Sequence, residues 1–437
     1  MPEAFSQRIY DLLFDEDEER ACSDISETEC KVAPKNFALN AGNGAATKLA
    51  EQLASPDITL TWMLSALGAP VFISGLLVPV RRAGSLLPQL AASGAIRAAA
   101  LRKRVWVWAA IAQSVSMAII AIAAGSLSGL GLGVVVTVTL ALFSVASGVE
   151  SVAYKDVLAK TIPKGRRGRL LATRATIGGA LTLAAGLLLF LTFEGTETRL
   201  PYVLLVASAA ALFALSAILF GMIDEEPGAT EGGRTPFQEL KKGWQIFERD
   251  APFRRFVAAR ALLLFVLLLQ PFYIIVSKET TGESIGALGM FVIAAGVGRL
   301  LGGPLWGKLA DSAADRAMVL GGALALLVAG YTFAFPFFAD SAGSFWWLAP
   351  VFVLNAIAYA GIRLGRKTYL VDYAPADERP LYVSLANTLV GIVMLAGSLL
   401  GLIAQLTSVQ VTIAVGIVLL AGGVGFALGL PRVSQSS

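Results

Sequence analysis

Apolar residues are grouped into long, largely uncharged runs that short polar stretches separate along the chain. Twelve runs are present, at about 37–54, 57–80, 105–125, 131–154, 171–193, 200–222, 255–277, 284–307, 317–338, 346–367, 381–405 and 409–430. Their lengths match the roughly 20 residues that a helix needs to cross about 30 Å of hydrocarbon. Because the runs are continuous rather than alternating, they predict membrane-spanning helices and not the strands of a β-barrel.

The first run is the most polar of the twelve. Asn40, Asn43, Thr47 and Glu51 recur in it at helical spacing and fall on one face of the predicted helix. Since polar groups are costly to place against lipid, we expect this face to pack against protein or to line a water-filled cavity.

The longest polar interruption covers about 223–254 and divides the runs into six and six. Its first part, DEEPGATEGGRTP, has the composition of a flexible linker. We therefore predict five regions: an acidic tail at 1–35, a six-helix bundle at 36–222, a central loop at 223–254, a second six-helix bundle at 255–430 and a short tail at 431–437.

Basic residues are concentrated in alternate loops. Residues 81–104 contain six bases and no acid, and residues 155–174 contain seven bases against Asp156, whereas the loops at 194–200 and 278–283 hold one base each. Because Lys and Arg are retained in the cytoplasm, we predict a multi-pass protein of the plasma membrane, in bacteria the inner membrane, with both termini cytoplasmic. Topology thus accounts for the net charge of +4, and no nucleic-acid partner is predicted.

Composition agrees with a multi-pass membrane protein, since 56% of the residues are hydrophobic, 15% are charged and the mean hydropathy is +0.70. The chain contains no histidine, so any proton coupling has to use a carboxylate. Cys22 and Cys30 lack further cysteine or histidine ligands, and no metal site is predicted. An intramembrane enzyme would need clustered ligands or a nucleophile with its base, so no catalytic residue is predicted.

Comparison of the two sets of six runs indicates a duplication. A shift of 212 residues aligns Lys155 with Lys367, Pro163 with Pro375, Arg167 with Arg379 and Gly179 with Gly391. Matched charges, prolines and glycines are less expected by chance than matched leucines in so apolar a chain. We interpret the halves as parallel repeats about an axis along the membrane normal.

The end of the eighth run contains a distinctive motif within Gly302–Arg316, GGPLWGKLADSAADR. The pattern G-x-L-A-D-x-x-x-x-R is filled by Gly307, Leu309, Ala310, Asp311 and Arg316. It resembles the short cytoplasmic signature of the major facilitator superfamily (MFS) of transporters. A degenerate copy is found at Gly75–Gly84, GLLVPVRRAG, where Pro79 stands in place of the acid.

This resemblance implies an all-α polytopic membrane protein, with 12 transmembrane helices in two pseudo-symmetric six-helix bundles that rock about a central site. It implies a permease that needs no cofactor and is driven by a proton or sodium gradient or runs downhill. The implied partners are a small-molecule substrate and the lipid bilayer, and the expected state is a monomer. The motif residues are expected to gate transport: Gly307, Asp311, Arg316, Gly75 and Arg82.

In that superfamily the first, fourth, seventh and tenth spans line the cavity. Polar residues on these spans, together with one arginine deep in the eighth, are the candidates for substrate binding or ion coupling: Asn40, Asn43, Glu51, Ser147, Glu150, Gln270, Tyr273, Arg299, Asn355, Tyr359 and Arg363. Arg299 lies too deep to snorkel easily, so a functional role, either an ion pair or a substrate contact, is weighed equally with a purely structural one. For Glu150, Arg260 and Arg363 the favoured interpretation is interfacial anchoring or a salt bridge between the halves.

Bases outnumber acids within or near the spans, which favours a small organic anion or an amphiphile with an anionic head as substrate. The bases are Lys48, Arg260, Arg299 and Arg363, against Glu51 and Glu150.

Two alternatives remain open. An exporter of hydrophobic, drug-like compounds would use an apolar lining, which four aromatic residues are placed to supply: Trp62, Phe72, Phe265 and Tyr273. A membrane sensor or assembly factor that kept the fold but lost transport is favoured by the degenerate first motif.

Overall fold

A computed structural model describes residues 27–88, 99–192, 198–227, 244–281, 285–337, 345–375 and 378–432. The described residues are almost entirely helical and contain no strand, as the all-α prediction requires. The helices are α1 Glu27–Leu53, α2 Thr59–Ala66, α3 Val71–Leu86, α4 Arg102–Ser126, α5 Gly129–Thr161, α6 Lys164–Thr192, α7 Leu200–Gly221, α8 Ala251–Leu263, α9 Phe265–Leu268, α10 Gln270–Thr281, α11 Ile285–Ser312, α12 Ala314–Ala334, α13 Phe345–Tyr373, α14 Arg379–Ala396, α15 Leu399–Leu406 and α16 Val409–Leu428.

Two predicted regions are only partly covered. Helix α1 already begins at Glu27, inside the predicted tail at 1–35. The remainder of that tail and residues 228–243 of the central loop lie outside the described residues.

The helices run between two sides of the molecule, which a few contacts define. On the side where the described chain begins and ends, here the terminal side, Lys35 pairs with Asp224 at 2.7 Å. On the opposite side, the backbone N–H of Gly129 donates to the carbonyl of Leu67 at 2.9 Å. Topology from loop charges predicts that the terminal side is cytoplasmic.

The predicted boundary between the first two spans was wrong. Residues 35 and 67 lie on different sides, so α1 and α2 together make one crossing, and α3 alone makes the return. The first crossing is interrupted after Leu53, where the Leu60 N–H bonds to the Ser55 carbonyl, a wider turn than an α-helix has. The chain reverses at Gly68, whose φ of 76° suits glycine.

Ten helical segments of the described chain are long and apolar enough to cross a membrane: Arg102–Ser126, Gly129–Thr161, Arg166–Leu191, Leu200–Gly221, Ala251–Glu279, Ala287–Ser312, Ala314–Phe337, Trp346–Tyr373, Leu381–Leu406 and Val409–Leu428. They coincide with the third to twelfth predicted runs. Helix α1 is too polar to join this set, and α2 and α3 are too short, yet the arrangement remains consistent with twelve spans.

The repeat is visible in the helix ends. Helix α5 ends at Thr161 and α13 ends at Tyr373, which is the 212-residue shift read from the sequence. The halves meet where α3 packs against α14 and α15, where α6 packs against α11, and where α2 packs against α10.

Glycines show where α6 and α11 separate. Gly289, Gly296 and Gly303 follow at seven-residue spacing along one face of α11. A Cβ on Gly289 would lie 2.7 Å from the Phe190 nitrogen of α6, and one on Gly296 would lie 3.0 Å from Leu183, but a Cβ on Gly303 would meet nothing within 4 Å. The two helices therefore touch toward the opposite side and diverge toward the terminal side.

Aromatic and polar contacts close the opposite side as well. The rings of Trp62 in α2 and Phe291 in α11 are 6.0 Å apart, and Phe291 in turn packs on Phe352 of α13 at 4.4 Å. Lys278 donates to Ser65 at 3.2 Å across the same boundary. The halves are thus sealed on the opposite side and splayed on the terminal side.

Candidate functional site

Polar and charged side chains meet halfway along the spans, in what we call the central polar cluster. Its members come from α1, α3, α4, α5 and α13: Lys48, Glu51, Arg81, Arg82, Gln113, Ser147, Glu150 and Tyr359. The depth of the cluster between the two sides is given by Ser147, which lies near the middle of α5, a helix that runs from Gly129 to Thr161. Helix α3 runs parallel to α5, since a Cβ on Gly133 would meet Ile73 and one on Gly84 would meet Ser144.

Glu51 is ion-paired within the cluster. Its carboxylate lies 2.7 Å from Lys48 Nζ and 3.5 Å from Arg81 Nη2. Arg81 also donates to Ser147 Oγ at 3.1 Å and lies 5.0 Å from the centre of the Phe143 ring. These contacts join α1, α3 and α5 at one point and hold Arg81 between two helices.

Glu150 has a different environment. Its carboxylate accepts a hydrogen bond from the side-chain amide of Gln113 in α4. No ion pair to Glu150 is found in the described part of the chain. The salt bridge between the halves that the sequence suggested for this residue is not observed.

A second group of first-half contacts lies on the terminal side of the cluster. Asn40 Oδ1 accepts from Arg174 of α6 and, at 3.2 Å, from the hydroxyl of Tyr154. The Arg174 guanidinium stacks on the Tyr154 ring with its centre 4.5 Å away. Asn40 Nδ2 is buried without a hydrogen-bond partner.

The second half contributes bases. Arg82 of α3 lies over the ring of Tyr359 at 5.8 Å, which brings a first-half cation onto α13. Arg363 is exposed one turn further along α13, and Arg366 Nε is buried without a hydrogen-bond partner. Arg260 donates to Asn387 at 2.6 Å inside the second half, so it makes neither of the contacts favoured from the sequence.

Acids in the described second half are found only toward the ends of helices: Glu279, Asp311, Asp315, Asp372 and Glu378. The middle of this half therefore has bases without acids.

An ion pair links the halves near the cluster. Arg299 Nη2 of α11 lies 3.8 Å from the carboxylate of Asp57, in the break between α1 and α2. The arginine side chain is 47% exposed, so this pair is a weak one.

Four other predicted site residues are used in helix packing. Asn43 donates to Ser216 Oγ at 2.8 Å and joins α1 to α7. Asn355 donates to the Gln270 side chain at 3.3 Å and joins α13 to α10. The hydroxyl of Tyr273 is buried without a hydrogen-bond partner among its apolar neighbours.

The two motif copies lie at different depths. Gly307 is five residues from the terminal end of α11, with Asp311 and Arg316 exposed beyond it. Gly75 instead lies toward the opposite side, where it touches the backbone of Gly401 in α15, and Arg82 is inside the cluster. The alignment of Gly75 with Gly307 was therefore wrong, because it assumed that α3 ended before its arginines.

Several residues of the cluster and its surroundings were not predicted as site residues: Asp57, Arg81, Gln113, Arg174 and Arg366. Gln113 left a readable signal, since it is an isolated amide inside the apolar run at 105–125. Arg81 and Arg174 were assigned to loops because bases that flank apolar runs usually mark the cytoplasmic surface.

Comparison with known families and curated proteins covers parts of the chain. Residues 268–436 match the family model described as Major Facilitator Superfamily. Over 269 residues, 60% of this chain, the sequence is 27% identical to uncharacterized proteins of Mycobacterium tuberculosis (strain ATCC 25618 / H37Rv) and Mycobacterium bovis. The alignment covers 51% of those proteins, so the chain spans about half the length of the curated relatives it matches.

Solved structures match nearly the whole chain in fold. A mutant of the nucleoside transporter NupG superposes with a TM-score of 0.66 at 12% identity, covering 90% of this chain and 98% of that one. The xylose transporter XylE from E. coli, in a partially occluded inward open conformation, gives a TM-score of 0.65 at 14% identity, covering 92% of this chain and 99% of that one. A D-xylose–proton symporter gives 0.64 at 14% identity over 91% and 98%. At such low identities, the likeness establishes the fold.

Proposed function

We propose that this chain, which matches the Major Facilitator Superfamily model over residues 268–436 and shares its fold with solved transporters, is a membrane transporter that moves a small organic anion by alternating access. The observation that carries this proposal is that Arg82 from the first half and Arg366 from the second both act on Tyr359, while the described acids of the second half lie toward helix ends. Arg82 and Arg366 are the expected anion ligands, with Tyr359 between the halves as a hydrogen-bond donor.

Charge balance supports an anion over a neutral solute. Burial of a cation away from water is costly unless an opposite charge or strong acceptors compensate it. In the first half, Glu51 compensates Lys48 and Arg81. For Arg366, whose Nε is buried without a hydrogen-bond partner, a bound carboxylate or phosphate would supply the acceptor, and arginine suits both groups geometrically.

The splayed terminal side supplies an entry route to the cluster. Lys48 is 53% exposed at mid-depth, which fits a side chain that lines a cavity rather than a packed core. In the proposed cycle the halves rock until the terminal side closes and the contacts on the opposite side, such as Trp62 with Phe291, separate.

The alternative of a drug-like substrate has less support. Of the four aromatic residues, Trp62 and Tyr273 are fully buried, Phe265 is nearly so and only Phe72 is partly exposed, so they do not form an open apolar lining. The alternative of a sensor without transport rested on the eroded first motif, and the misalignment of that motif weakens it.

The intact motif is proposed to act as a terminal-side latch, with Asp311 and Arg316 at the turn between α11 and α12. The expected effect of Asp311→Asn is a lower transport rate at a normal protein level, because the substitution removes one charge that holds the closed terminal side. Initial uptake rates per molecule of reconstituted protein measure this. An unchanged rate would remove the latch from the proposal.

The proposal also places the protein as a monomer in a bacterial inner membrane, with cytoplasmic termini. Its substrate class is tested by a thermal-shift screen of the purified protein against carboxylates, phosphate esters, sugars, nucleosides and amines. A true ligand binds the folded state and raises its melting temperature. We expect hits among the anions; hits confined to neutral or cationic compounds would refute the anion class.

A further inference from the structure

The two acids of the central polar cluster have different partners. Glu51 has two cations within 3.5 Å, Lys48 and Arg81. Glu150 accepts its hydrogen bond from Gln113, a neutral amide. An amide is able to serve either form of a carboxyl group, since its N–H donates to the ionised acid and its oxygen accepts from the protonated one. Glu51 is therefore held ionised, while Glu150 is in a setting that tolerates both forms.

Three neighbouring helices place charged side chains around Glu150. Lys48 and Glu51 face it from α1, Arg81 from α3 and Arg174 from α6. Arg81 is placed between the two acids, because it reaches Glu51 directly and donates to Ser147, which lies one turn before Glu150 on α5. A change of charge at Glu150 is thus felt first by Arg81.

The net charge of this group depends on one proton. Lys48, Arg81 and Arg174 carry three positive charges, and Glu51 and Glu150 carry two negative charges when both are ionised, which sums to +1. Protonation of Glu150 raises the net charge to +2 beside the proposed anion site. At low effective dielectric such a charge attracts an anion strongly.

We infer that Glu150 binds the proton that couples transport, and that Arg81 conveys its protonation state to the anion. This inference rests on the proposed function and names its driving force. The proton forms an O–H bond with the Glu150 carboxylate as the anion binds, and it returns to water when the anion leaves. One proton then accompanies each monovalent anion, and the coupled movement is electroneutral.

Proteoliposomes loaded at different internal pH test the coupling. One pH unit stores about 1.4 kcal/mol, so the wild type should accumulate a transported monovalent anion about tenfold per unit. Glu150→Gln should abolish accumulation above equilibrium, while counterflow exchange, which needs no net proton movement, falls by less than about tenfold. Arg104→Gln, which changes an exposed arginine in the first turn of α4, is the control, and this variant should accumulate the anion as the wild type does. Uphill accumulation by Glu150→Gln would overturn the inference and leave anion transport standing.

Infrared titration gives a readout that does not depend on transport. In infrared difference spectra between neutral and acidic pH, wild-type protein and Glu51→Gln should share one protonated-carboxyl component that Glu150→Gln lacks, above the background of the other acids among the chain's 31. A component that persists in Glu150→Gln and vanishes in Glu51→Gln would assign the proton to Glu51 and overturn the inference. If the wild type moves no anion in any assay, the proposed function fails separately from this result.

Discussion

The two halves of the molecule repeat one fold but differ at their centres. In the first half the central charges are ion-paired, because Glu51 lies between Lys48 and Arg81. The second half carries Arg366 about two turns beyond Tyr359 toward the terminal side, with a buried nitrogen that has no hydrogen-bond partner, and its described acids lie toward helix ends. Under the proposed function, the second half would attract the anion and the first half would control the net charge.

Arg82 connects the two halves, because it belongs to α3 and lies over Tyr359 of α13. Arg82 thus adds a first-half positive charge beside α13, which increases the excess of positive charge there.

Four substitutions test this difference between the halves, and they differ in the size of the effect expected.

The largest effect is expected from Arg82→Gln. The substitution keeps a polar side chain but removes the charge that faces Tyr359 and the proposed anion. A lost hydrogen bond to a charged group costs about 1.5–3 kcal/mol, so the dissociation constant of a bound anion should rise about 10- to 150-fold. Calorimetric titration measures it, with Arg104→Gln as the control that should bind normally. Equal weakening in both variants would remove Arg82 from the site.

A steric effect is expected next, at the close crossing of α3 and α15. A Cβ on Gly401 would lie 2.5 Å from the Phe72 carbonyl oxygen, so Gly401→Leu should force the helices apart on the opposite side. Overpacking of this kind costs about 1–3 kcal/mol, which shifts the equilibrium between open and closed states about 5- to 150-fold.

Labelling of a cysteine introduced by Ser65→Cys, with a membrane-impermeant maleimide added from the opposite side, reports this opening. Gly303→Leu is the matched control, since a Cβ there would meet nothing within 4 Å. Faster labelling in the Gly303→Leu background than in the Gly401→Leu background would contradict the closed opposite side.

A smaller effect separates the two acids. Glu51→Gln leaves Lys48 and Arg81 without their counter-charge, whereas Glu150→Gln keeps an amide beside Gln113. Because Glu51 is 34% exposed, we expect a cost of only about 1–2 kcal/mol, less than for a fully buried pair. Thermal unfolding in the same detergent should show the lower melting temperature for Glu51→Gln, and a lower one for Glu150→Gln would reverse the roles given to them.

The smallest effect is expected from Arg299→Gln. The Asp57–Arg299 pair spans 3.8 Å with a half-exposed arginine, and such pairs contribute at most about 1 kcal/mol. Ser65→Cys labelling should therefore rise by no more than about fivefold. A rise as large as that from Gly401→Leu would mean that charge rather than close packing holds the opposite side shut.

Much of the fold was predictable because apolar length is a strong signal. The runs from 105–125 to 409–430 correspond to observed helices, and the 212-residue shift reappears in the ends of α5 and α13. Glu51, Glu150 and Tyr359 were selected as polar residues of the spans expected to line the cavity, and the structure brings all three to mid-depth. Their roles in binding or coupling stay predictions.

The errors in placing the residues of the first two spans have one physical origin, which is the break after Leu53. The segment SPD at 55–57 predicts a turn between two spans, but the chain continues in the same direction through α2. Every later residue of the second span was therefore placed too near the terminal side, and Arg81 and Arg82 were assigned to a loop. Tertiary partners such as Gln113 could not be assigned, because nothing in a single sequence states which helices meet.

The most direct test of an anion site is counterflow with matched competitors. Proteoliposomes preloaded with the best anion from the thermal-shift screen would take up its labelled form against unlabelled carboxylates or their primary amides of the same carbon skeleton. The account predicts that the carboxylates compete and the amides do not, and that Arg82→Gln weakens competition by the carboxylate. Equal competition by the amides would contradict it.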